Sequence, residues 1–144
     1  MTKLSDHFTL EELTITQVRS VSNIPSPEVI KILKLTAYMM EVVRSILNDK
    51  SILINSGYRS PGVNKIVGGS KKSAHMEGHA VDFICPGFGS PLKICRAIKS
   101  SDIEFDQLIE EGTWVHISFS PTMRRQVLTK KGNKYVVGLN QKEK

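Results

Sequence analysis

The stretch SAHMEGHAVD, residues 73–82, places His75, Glu77, His79 and Asp82 within ten positions. Imidazoles and carboxylates this close together are common donors to a divalent metal. The helical zinc motif H-E-x-x-H does not account for them, because Met76 follows His75 and Gly78 precedes His79. The run continues as AVDFI, which reads as a buried strand with Asp82 inside it. Further on, His116 interrupts a second apolar strand, WVHISF. A carboxylate in such a strand is costly unless it is paired or bound to a cation. Asp82 and His116 could therefore simply hydrogen-bond each other, or they could join His75 in a three-donor set. Two imidazoles and one carboxylate, with a position left for water, is what a catalytic zinc requires, whereas a structural zinc is usually closed by a fourth protein ligand. The remaining histidine, His7, lies in the N-terminal cap region and is expected at the surface.

The elements that must carry these residues follow from local pattern. Thr9 and Glu12 form a capping box before a short helix. The segment 24–50 predicts the main helix: Ser26 as cap, Pro27 at the first position, and apolar residues at 29, 32, 33, 39, 40, 43, 46 and 47. Met39 and Met40 on its apolar side read as core filler. SILINSG predicts a strand, and YRSPGVNKIVGGS a turn, a short helix and a glycine-rich loop. That loop lacks the Gly-Lys-Ser/Thr ending of a phosphate-binding loop and is read as connection only. After the AVDFIC strand, Ser90 and Pro91 start another helix. FDQLIEE and WVHISF predict two strands joined tightly at Gly112-Thr113, and residues 124–139 a hairpin around Gly132-Asn133. Helices come first and strands concentrate late. The expectation is one α+β domain over 1–140, a mainly antiparallel sheet with helices packed on one side and the metal site in a cleft on the sheet, followed by a frayed tail at 141–144.

Composition narrows the partners. At 144 residues the chain suits a single core, and 40% hydrophobic with 24% charged residues is ordinary for a soluble globular protein. No stretch is long and apolar enough to span a membrane, so no membrane insertion is expected, and the N-terminus lacks signal-peptide features. Cys85 and Cys95 are too few and too separated for a disulfide framework or a four-cysteine zinc site, and are expected to be reduced and packed. The net charge of +6 favours an anionic partner, such as nucleic acid, an acidic cell wall or an anionic membrane surface. The basic residues are spread out and form neither a basic helix nor an aromatic–basic RNA-binding signature, which argues against nucleic acid.

The motifs themselves resemble a known family. SAHMEGHAVD fits the pattern S-x-H-x-x-G-x-A-x-D of the zinc peptidases that act on D-residue-containing cell-wall peptides. These comprise D-alanyl-D-alanine carboxypeptidases, dipeptidases and phage L-alanyl-D-glutamate endopeptidases. INSGYRSPGVNKIVGGS upstream and FDQLIEEGTWVHISF downstream are similar to the family in the same order, so that the resemblance covers roughly residues 5 to 120. It implies that His75, Asp82 and His116 hold one zinc ion, while His79 and Glu77 fall at open positions of the pattern. Gly78 and Ala80 would be small because the backbone passes close to the metal. The family places an acid shortly before the last ligand. Glu111 is the choice for the catalytic acid/base, with Glu110 as rival, since adjacent strand residues face opposite sides. Some relatives carry the acid three residues before the ligand, where this chain has Thr113. Arg59 matches an arginine that holds a substrate carbonyl or carboxylate, Ser73 would line the substrate cleft, and Trp114 would pack beneath the site. Asp106 and Gln107 would support the ligands from a neighbouring strand.

The implied function is a zinc metallopeptidase cutting peptidoglycan stem peptides. An L-alanyl-D-glutamate endopeptidase of the phage lysis type is slightly preferred over a D,D-carboxypeptidase, and a zinc-containing binding module without hydrolysis is the remaining alternative. The expected setting is a monomer made in the cytoplasm without a signal, reaching the wall through a holin or after lysis.

Overall fold

The computed structural model describes residues 2–139. The expected frayed tail at 141–144 lies outside the described residues. The elements run α1 (Leu10–Leu13), α2 (Pro27–Ile46), β1 (Leu53–Ser56), α3 (Pro61–Ile66), a single 3₁₀ turn (Ala74–Glu77), β2 (Ala80–Ile84), α4 (Pro91–Lys99), β3 (Gln107–Glu110), β4 (Val115–Ser118), β5 (Gln126–Lys131) and β6 (Lys134–Val137).

The helix starts are set by local chemistry. Thr9 and Glu12 close a reciprocal capping box, and Ser26, Ser60 and Ser90 each cap a helix whose next residue is proline. The main helix is shorter than its apolar pattern suggests. It stops at Ile46 because Asn48 and Asp49 take left-handed backbone angles, φ 60° and 59°. Its buried face is Leu33, Ala37, Met40 and Val43, one residue per turn. These side chains, with Ile94, Cys95 and Ile98 of α4, pack on Val81, Phe83, Leu108, Val115 and Ile117 of the sheet. Burying each large aliphatic or aromatic side chain stabilises by about 1.5–3 kcal/mol. Cys85 and Cys95 are free and buried, as expected.

The six strands among the described residues form one sheet in the order β1-β2-β4-β3-β5-β6, antiparallel except for the β3–β5 pair. The parallel pair arises because residues 119–125 return the chain to the start of β3, where the Arg125 N–H donates to the Phe105 carbonyl. Alternation along β2 and β4 sends Val81, Phe83, Val115 and Ile117 to the helix-covered face. It sends Asp82 and His116 to the opposite face, where they sit directly across from each other in the β2–β4 register. The sheet thus separates a dry core from a polar face. No helix among the described residues is long and apolar enough to cross a membrane.

Candidate metal centre

Three elements deliver the donor set. Asp82 and His116 come from adjacent central strands, and His75 from the 3₁₀ turn just before β2. The Ser73 hydroxyl caps that turn by accepting from the His75 N–H at 3.2 Å. His75 Nδ1 lies 2.7 Å from the Gly57 carbonyl oxygen, which turns Nε2 towards Asp82 Oδ1 at 3.2 Å. His116 Nδ1 approaches the same oxygen to 3.0 Å. One donor atom from each of the three residues lies within 4.8 Å of the others. The side chains of His75, Asp82 and His116 are 2%, 12% and 12% exposed. A ring nitrogen fixed by a backbone carbonyl, leaving the other free, is how ligating imidazoles are usually held.

The electrostatics agree with this chemistry. Burial pushes the His75 pKa down, which favours the neutral imidazole that a metal needs. Burial would raise the Asp82 pKa, but hydrogen bonds from His116 and His75 outweigh it and hold the carboxyl well below the usual carboxylate range. A buried carboxylate oxygen between two inward-facing imidazole nitrogens is a N₂O set, and it fits one zinc ion. His79 and Glu77 are not part of the set. His7 is bound at the surface by Glu41, at 2.7 Å.

A cleft of about 530 Å³ opens over these residues, and Arg59, Ser73, Glu111, Trp114 and Tyr135 are among its walls. Glu111 and Glu110 diverge as alternation requires. Glu110 shares the parity of Leu108, on the helix-covered side, and its carboxylate accepts the Gly112 N–H. Glu111 lines the cleft. Burial there raises its pKa, the His116 charge works against that, and Asp82 adds to it. Arg59 Nη2 lies 3.7 Å from Asp82 Oδ2 and Nη1 donates to Asn64 Oδ1 at 3.1 Å. Trp114 is half-buried in the cleft wall.

Several sequence expectations are corrected here. The structure gives Gly78 a reason of its own to be small. Gly78 ends the 3₁₀ turn at φ +87°, and a Cβ there would press on Val29, Ile32 and Leu33 of α2. The glycine-rich loop is not mere connection. A Cβ on Gly69 would overlap Asn64 Oδ1 and Arg59 Nη1, so this glycine makes room for the arginine. Asp106 and Gln107 do not reach the ligands. Asp106 accepts from Arg124 Nε and Nη2, both at 2.9 Å, and from the Thr122 hydroxyl, while Gln107 donates to Gln126 at 2.7 Å. Both fasten the chain around β5 instead. Two participants had no sequence signal. The Gly57 carbonyl is one. The other is Tyr135 of β6, whose hydroxyl donates to Glu111 Oε1 at 3.4 Å.

The comparison that decides the family covers residues 6–118, which match the peptidase M15 family and include all three donors. The chain belongs to the peptidase M15 family. Within this M15 peptidase the hairpin β5–β6 lies beyond the matched residues, yet it brings Lys130 and Tyr135 into the cleft wall. The chain is also similar to a zinc D-Ala-D-Ala carboxypeptidase of Streptomyces albus G, 42% identical over 77 residues. That match covers 54% of this chain and 29% of the relative, so the chain spans under a third of the length of that protein.

Proposed function

We propose that this M15 peptidase is a zinc-dependent hydrolase of peptidoglycan stem peptides, with His75, Asp82 and His116 as its ligands. The observation that carries the reading is one cleft holding both a buried N₂O donor set and, on the same face, the half-buried carboxyl of Glu111. Bound by these three residues, zinc would supply a Lewis acid that polarises the scissile carbonyl and makes water more acidic. Glu111 takes a proton from the attacking water and hands it to the leaving amine. Its raised pKa brings the carboxyl closer to the working pH and so favours both transfers. Arg59 orients the substrate carbonyl with its guanidinium, which Asn64 and Asp82 hold in place. Ser73 lines the same cleft while its hydroxyl fixes the turn that carries His75.

The preferred bond is L-Ala–D-Glu, cut internally; a second basin that shares Arg59, Val67 and Asp82 with the cleft gives room for peptide beyond the donor set. A setting in lysis, with release through a holin or after lysis, and a monomeric state belong to the same reading. The second reading is a D,D-carboxypeptidase, favoured by the name of the Streptomyces albus G relative. Mass spectrometry of fragments released from purified peptidoglycan by the zinc-loaded protein, beside His116→Ala, separates them. New N-terminal D-Glu ends from the wild type alone support the endopeptidase. Loss of terminal D-Ala moves the enzyme to the carboxypeptidases. No zinc-dependent product from several wall types leaves a binding module.

A further inference from the structure

The cleft does not stop at the donor set. Arg59, Val67 and Asp82 line the cleft of about 530 Å³ over the donors, its polar arm, and they also line a second basin of about 300 Å³. The rest of its wall includes Ile15, Val18, Val63, Asn55 and Ser56. The volume is at the lower end of the usual range for ligand pockets, about 300–1,000 Å³. The β1–β2 register slips between Ile54 and Ser56, and Ser56 sits across from Asp82, so the irregularity gives this wall its shape beside the donor set. The two arms differ in chemistry. Ile15, 47% exposed, lines the basin with Val18 and Val63 and is absent from the polar arm, whereas Lys72, Lys130 and Glu111 line the polar arm and not the basin.

We propose that this basin is the acyl-side subsite, which takes the apolar N-terminal half of the substrate peptide. The peptide then runs from Ile15 and Val18, across Arg59 and Asp82, towards Lys72 and Lys130. The inference rests on the peptidase reading above and adds a direction to it. The leaving amine must end within proton-transfer reach of Glu111. Glu111 lines the polar arm and does not line the basin, so the amine-side half occupies the polar arm. The acyl half must lie on the other side of the scissile carbonyl, next to Arg59, and the contiguous space there is the basin. The chemistry matches that order: a small aliphatic residue on the acyl side meets Ile15 and Val18, and a carboxylate-bearing residue on the amine side meets two lysines.

The test uses zinc-loaded, ¹⁵N-labelled Glu111→Gln protein and the peptide L-Ala-γ-D-Glu-L-Lys with a nitroxide at one end. An N-terminal nitroxide is expected to broaden the amides of residues 15–18 and spare 130–135, and a C-terminal nitroxide to do the reverse. The opposite pattern, or no localised broadening at either place, overturns the proposal. In the otherwise unaltered enzyme, Ile15→Asp is expected to raise KM about tenfold through lost apolar contact and a misplaced charge. An unchanged KM also overturns it. Turnover of the unlabelled peptide by the wild type is scored separately. Turnover without broadening at 15–18 sinks only the subsite, whereas correct broadening without turnover sinks the hydrolase reading.

Discussion

Glu110 and Glu111 are neighbours in the chain and face opposite sides of the sheet. Strand parity puts Glu110 on the helix-covered side, tied to the Gly112 N–H, and Glu111 in the cleft. Glu111→Gln is therefore expected to keep zinc while lowering kcat/KM by about 10²–10⁴-fold, the usual worth of a general acid–base group. Glu110→Gln is expected to stay within about twofold, since Glu110 lies outside the cleft lining and the donor set. Steady-state kinetics with zinc content measured on the same samples checks both. His116→Ala removes one of the three donors, and both bound zinc and activity should be lost on dialysis. At this scale the sequence was already informative. The three donor types and their pattern were visible because each is an ionisable side chain placed where an apolar strand or a polar loop makes it conspicuous. Which glutamate lines the cleft depended on the phase of β3, and phase is fixed only by pairing with β4.

Elements decide how firmly the site is held. Gly69 leaves the space in which Arg59 meets Asn64, so Gly69→Ala should displace the guanidinium. A roughly tenfold drop in kcat/KM with zinc content unchanged is expected, because small misplacements of a positioning group are costly. Asp106 anchors residues 120–125 to the start of β3 through Arg124 and Thr122. Hydrogen bonds from Arg124, opposed by partial burial, hold its carboxyl well below the usual carboxylate range. A carboxyl whose pKa is lower folded than unfolded stabilises above the unfolded value, about 3.9. That stabilisation is lost as pH falls through the unfolded value towards the folded one. The gap in Tm between wild type and Asp106→Asn should thus be several degrees at pH 7 and shrink below about pH 4, as read by thermal denaturation. The hairpin β5–β6 contributes Tyr135, which donates to Glu111 and so favours its charged form. In Tyr135→Phe the acid limb of the kcat/KM profile should move to higher pH. The hairpin itself was legible from Gly132-Asn133 between two strand-like runs. Its placement beside Glu111 was not, because that follows from the parallel β3–β5 pairing, a contact between chain segments with no local signal.

For the molecule as a whole, the sheet keeps core and chemistry apart. The packed face of α2, α4 and the sheet makes no use of the donor set, which comes from the polar face and the 3₁₀ turn beside it. Chelation should therefore abolish activity and lower Tm, since an ion that binds only the folded chain stabilises it by mass action. Far-UV circular dichroism should be retained at 25 °C. Loss of the dichroism on chelation would mean that the metal, not the core, holds the fold. Local pattern was enough for the helices and strands, their order and the donor types, though not for the 3₁₀ turn that carries His75. Those depend on propensity, periodicity and capping between residues a few positions apart, as with Thr9 and Glu12 or Ser26 and Pro27. Packing between distant segments explains why Gly78 and Gly69 are glycine, why Asp106 holds a loop rather than a ligand, and how the Gly57 carbonyl aims His75. Each of these is a meeting of segments distant in the chain, and close packing, not local preference, determines what such segments find when they meet.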